Sequence, residues 1–76
     1  MTLRELLNER QLRMDAAALI AGTDRAVISR IATGKIRARP HTVVRLAQGL
    51  GVSARRMQAI CDESWRAAHP EDEAVA

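Results

Sequence analysis

The sequence predicts an all-α fold: a compact domain of five short helices followed by an acidic tail. Three observations carry this. The chain has 76 residues, enough for one domain with one modest core. It has one Trp and neither Phe nor Tyr, so Leu, Ile, Val, Met and Ala must fill that core. This favours small, closely packed helices over a sheet rich in aromatic and β-branched residues. The apolar residues recur at helical spacing in segments set off by glycine and proline, and neither a strand nor an internal repeat is visible.

The first helix is expected over about Leu3 to Arg10, with Leu3, Leu6 and Leu7 on one face. Thr2 and Glu5 have the form of a capping box at its start, and Leu12 reads as a buried linker residue. The second helix spans about Met14 to Ala21. Ala18 is expected where it crosses the third helix, and Gly22 ends it, where a positive φ is often needed. The third spans about Arg25 to Thr33, with Asp24 as N-cap and Gly34 as its stop. Ile28 and Ile31, three apart, share its buried face. Lys35 to Arg39 form a basic loop. Pro40 opens the fourth helix at its first position. That helix buries Val43, Leu46, Ala47 and Leu50, and Gly51 closes it. Ser53 caps a fifth helix that runs from about Ala54 into the sixties and buries Met57 and Ile60, with Cys61 a further candidate. Residues 1–67 make the domain, and residues 68–76, small, acidic and broken by proline, read as a disordered tail.

The net charge of +3 hides an asymmetry. Residues 1–61 carry 11 cations against Glu5, Glu9, Asp15 and Asp24, a net of +7, whereas residues 62–76 carry Arg66 against five acids. From residue 25 to residue 45 there are six cations (Arg25, Arg30, Lys35, Arg37, Arg39 and Arg45) and no acid. A solvated face usually mixes signs, so this run favours a polyanionic partner. No apolar run is long enough to cross a membrane, and the N-terminus lacks the layout of a signal peptide. The single Cys61 cannot form an internal disulfide, packs as a small apolar group and fits a reducing cytoplasm. His41, His69 and Cys61 lack metal-ligand spacing, and no catalytic set or glycine-rich phosphate loop is present. The expectation is a non-enzymatic protein with no cofactor, no metal, no membrane partner and no small-molecule ligand.

Residues 14–34 read as two short helices around a tight turn at Gly22, the pattern of a helix-turn-helix. This segment resembles the phage lambda repressor and Cro family of small regulators, the XRE type. Ala21, Gly22, Arg25, Ile28, Ser29, Arg30, Ile31, Gly34 and Lys35 match its usual text in place. Residues 40–53 resemble the family's next segment without a gap, so the resemblance covers roughly residues 3 to 60. It implies a sequence-specific regulator of double-stranded DNA, of the repressor kind found in phages and mobile elements, working in the cytoplasm at the nucleoid. The third helix would lie in the major groove with Arg25, Ala26, Ser29 and Arg30 toward base edges. Arginine bonds guanine O6 and N7 together, and Ala26 suits a thymine methyl. Phosphates would be held by Arg13, by the backbone at Met14 where the second helix begins, and by Thr33, Lys35, Arg37 and Arg39.

Two departures from the family matter. Arg13 and Met14 stand where a polar cap and a glutamine are usual, so only the backbone contribution carries over. Asp24 replaces a serine or threonine cap; it suits the helix dipole but repels phosphate, and is expected to pair with Arg13 or to accept from a cytosine amino group. Leu19 and Ile20 stand where polar residues are common, one as extra core and the other as exposed interface. The resemblance further implies a weak homodimer on a two-fold operator, built from the fifth helix through Met57, Cys61 and Trp65, unless Trp65 folds back on its own core. The competing function is an antitoxin or protein-interaction adaptor of the same fold, against which the acid-free cation run speaks.

Overall fold

The computed structural model describes residues 1–70. Five α-helices follow one another: α1 (Leu3–Glu9), α2 (Met14–Ala21), α3 (Arg25–Ala32), α4 (Pro40–Leu50) and α5 (Ala54–Ala68). There is no strand among the described residues. Each boundary has a local cause. Glu5 N–H donates to Thr2 Oγ1 at 3.3 Å while Thr2 N–H donates to Glu5 Oε1 at 2.8 Å, which is the expected capping box. The Thr2 backbone bond and then its hydroxyl hold the Glu5 carboxyl below its usual pKa. Asp24 Oδ1 accepts from Val27 N–H at 3.0 Å, and Ser53 Oγ from Arg56 N–H at 3.1 Å. Gly22 closes α2 at φ 68°, as the turn was expected to require.

Arginines finish two helices at their carbonyl ends. Arg10 Nη1 donates to Leu50 O at 2.8 Å below α4, and Arg45 Nη1 to Ala21 O at 3.4 Å below α2. Each places a cation at the negative end of a helix dipole. Arg45, counted above in the cation run, is therefore used within the fold.

Helix α5 is the spine of the packing: α4, α3 and α1 all lie against it, while α2 bridges α3 and α4. Leu3, Leu7, Ile28, Ile31, Leu46 and Met57 are the largest fully enclosed side chains. With no large aromatic at the centre, helices must approach closely, and small residues permit it. Ala17, Ala18 and Ala21 line the buried face of α2. On α4, a Cβ at Gly49 would collide with Ile20 Cγ2. The pair Leu19 and Ile20 divides as anticipated: Ile20 packs on the core, and Leu19 is 84% exposed. Leu12 also packs on the core from its linker.

Helix α5 reaches Ala68, with His69 at its C-cap, so the domain's last helix enters the segment assigned to the tail. The remainder of that segment, residues 71–76, lies outside the described residues.

Candidate nucleic-acid interface

Helix α3 divides sharply by face. Ile28, Ile31 and Ala32 are buried, whereas Arg25, Ala26 and Arg30 are exposed and Ser29 half-buried. Positions 25, 26, 29 and 30 fall on one side because the helix repeats every 3.6 residues. The four residues expected to face bases thus share one surface, opposite the isoleucines that anchor the helix. Arg25 Nε lies 3.4 Å from Asp15 Oδ1, an exposed pair linking α3 to the first turn of α2. Such pairs are worth at most about 1 kcal/mol and exchange readily for another anion. The α2–α3 ion pair is thus made by Asp15 and Arg25 instead of Asp24 and Arg13, because the Asp24 carboxylate is turned onto the Val27 N–H.

The residues expected at phosphates are brought together only in part. Arg13, Lys35 and Arg39 are exposed, and none of the ion pairs among the described residues involves them or Arg30. Arg13 is the N-cap of α2 without a side-chain cap bond, leaving the first N–H groups of that helix to solvent or an anion. The partly buried Met14 side chain packs on the core, and what an anion could use at this position is the backbone N–H. Thr33 donates its hydroxyl proton to Ser29 O at 2.8 Å. Donation to a phosphate would require this exposed hydroxyl to rotate away from that carbonyl. Arg37 is folded onto α5, its Cζ 4.6 Å from the Trp65 ring centroid and its Nη1 3.9 Å from Asp62 Oδ1.

The residues expected at a dimer interface are corrected by burial. Met57 is fully enclosed and Cys61 is 5% exposed, so neither reaches a partner. The 3.6-residue repeat that puts them on one face of α5 turns that face inward, against the other helices. Burial, and then the neighbouring Asp62 charge, push the Cys61 thiol up to about 11, consistent with its role as a small apolar group. Trp65 is half-buried, faced by Arg37 and stacked on His69 at 3.7 Å between ring centroids. Three features escape sequence reasoning: the two arginine helix caps, the seat of Ile20 on Gly49, and the Arg37–Trp65 contact. Only Gly49 left a signal, since glycine inside a helix commonly marks a close approach.

No helix among the described residues is long and apolar enough to cross a membrane. A family model described as helix-turn-helix matches residues 3–56, from the start of α1 into the first turn of α5. No curated protein and no solved structure matches the chain.

Proposed function

Because the chain belongs to the Cro/C1-type helix-turn-helix family of DNA-binding regulators, we propose that it represses transcription by laying α3 in the major groove of a specific operator. The observation that carries this is the outer face of α3, with Arg25, Ala26 and Arg30 exposed and Ser29 half-buried among them, set in a stretch of 21 residues that holds six cations and no acid. Arg25 and Arg30 each reach a guanine through O6 and N7, Ala26 packs on a thymine methyl, and Ser29 bonds a base edge or phosphate. Asp15 holds Arg25 until the groove takes it over. Arg13, the free N–H groups at Met14, and Lys35 and Arg39 after the reading helix bind phosphate on either side. Two copies occupy a two-fold site, since one such helix offers few base contacts and a second multiplies occupancy.

A second reading is an adaptor or antitoxin binding a protein partner, for which the exposed Leu19 on α2 would serve as an anchor. An antitoxin that represses its own operon satisfies both readings; selection of bound sites from a random DNA pool separates a regulator from an adaptor. The regulator enriches a guanine-containing motif with two-fold symmetry, and sedimentation on it gives two chains per site. An adaptor enriches nothing.

A further inference from the structure

We infer that Trp65 and Arg37 form a clasp that fixes the loop between the reading helix and α4, so that Arg37 acts as a positioning residue and not as a phosphate ligand. The inference rests on the DNA-binding reading above for its consequence, though not for its geometry.

The loop has unequal means of support. Gly34 sits directly against α5: a Cβ there would lie 2.6 Å from Ser64 O and would also collide with Ala68. Lys35 N–H and Ile36 N–H both donate to Arg30 O, at 2.8 and 3.4 Å. Arg37, Ala38 and Arg39 donate no backbone–backbone hydrogen bond among the described residues. Arg39 is nevertheless tied to α4, its carbonyl accepting from Val43 N–H at 3.0 Å, so Arg37 and Ala38 are the two loop residues whose backbone no backbone–backbone hydrogen bond holds among the described residues. Ordering them carries an entropy cost, and side chains supply the restraint. Ala38 does so by packing on the core. Arg37 does so by laying its guanidinium over Trp65 with Asp62 beside it.

The chemistry of the clasp suits these two side chains. A planar guanidinium stacks on an indole face and is weakly hydrated, whereas an ammonium is a compact, strongly hydrated point charge. Trp65 is held from its other neighbour by His69, whose Nδ1 lies 2.9 Å from Trp65 O. The indole N–H is buried with no hydrogen-bond partner among the described residues. The ring face, and not its polar edge, is therefore what this position uses. With Arg37 anchored, Lys35 and Arg39 on either side of it are presented from a fixed backbone.

The test uses the full chain, a selected operator and a random duplex. Trp65 is the sole tryptophan, with no Tyr or Phe to interfere, so its emission reports the clasp without DNA. In Arg37→Ala and in Arg37→Lys, acrylamide quenching of Trp65 rises while the thermal melt stays near wild type. Both lose affinity by about twofold to tenfold, the scale of ordering one side chain. The slope of log K against log salt is unchanged, because no phosphate contact has gone. Trp65→Leu, which removes the ring face, loses affinity to the same extent as Arg37→Ala. The double variant Trp65→Leu/Arg37→Ala binds like either single variant, the non-additivity expected of two halves of one contact, and additive losses overturn the inference. The inference is overturned if quenching is unchanged in the Arg37 variants. It is equally overturned if Arg37→Ala lowers the magnitude of the salt slope by about 0.9 while Arg37→Lys restores it, the signature of a phosphate ligand. Absence of DNA binding by the wild type, with quenching increased in both variants, would remove the proposed function and leave the clasp standing.

Discussion

At Gly34 the backbone turns at φ +76° while pressed against the Ser64 carbonyl and Ala68. A side chain there meets two penalties, left-handed strain and a collision with the backbone of another helix. Gly34→Ala is expected to lower stability by roughly 2–4 kcal/mol, the sum of a strained residue and an overpacked contact. Gly51→Ala is the control, since its φ is also positive but nothing lies within 4 Å of the added Cβ. It should lose only about 1 kcal/mol. Equal melts for the two variants would show that the approach of Gly34 to α5 is unimportant. Cys61 makes a second prediction through its thiol. Its pKa is raised from 9.0 to about 11 in the fold, so the native state holds the proton more tightly than the unfolded chain. Stability is then fully present below pH 9 and declines as pH rises toward 11, by on the order of 2 kcal/mol. Denaturant titrations of wild type and Cys61→Ala across that range should converge as pH rises. A constant difference between them would contradict the burial argument.

At the scale of the helices, Gly49 and Ile20 form one unit. Alanine is the better helix former by up to about 1 kcal/mol, yet Gly49→Ala should destabilise, because the stiff β-branched Ile20 cannot swing its Cγ2 away. In the Ile20→Ala background the same change should become neutral or stabilising. If Gly49→Ala already stabilises the wild type, the α2–α4 crossing is not as close as described. This pair also shows where the sequence is legible. Helix starts and stops were readable because they depend on residues adjacent in the chain: Thr2 with Glu5, Asp24, Pro40, Gly51 and Ser53 each act within a turn. The buried faces were readable from spacing, as with Ile28 and Ile31. Partner choice across the core was not. Arg10 reaches Leu50 and Arg37 reaches Trp65, and nothing local selects these over solvent. The inward turn of Met57 and Cys61 likewise depends on three helices meeting α5, which no single periodicity states.

For the whole molecule, charge and shape converge on one side of the sequence. Of the six cations of residues 25–45, Arg25 and Arg30 stand on α3, Lys35, Arg37 and Arg39 in the loop after it, and Arg45 on α4. Arg45 caps α2 and Arg37 lies on α5, so Arg25, Arg30, Lys35 and Arg39 are the ones the proposed reading assigns to DNA. Since Met57 and Cys61 are internal and Trp65 is engaged within its own chain, a pair of these molecules gains little from α5. Sedimentation without DNA is therefore expected to show a monomer at micromolar concentration, with two chains assembling only on a two-fold site. A stable dimer off DNA would mean that another surface, such as that bearing Leu19, dominates assembly. The central claim is that α3 reads bases, and its most direct test is the binding of wild type, Arg25→Ala and Arg30→Ala to every single-base-pair variant of the selected operator. Each variant should lose preference at its own base pair by about 1–3 kcal/mol and keep it elsewhere. Retention of the full wild-type preference by both proteins would contradict the placement of α3 in the groove.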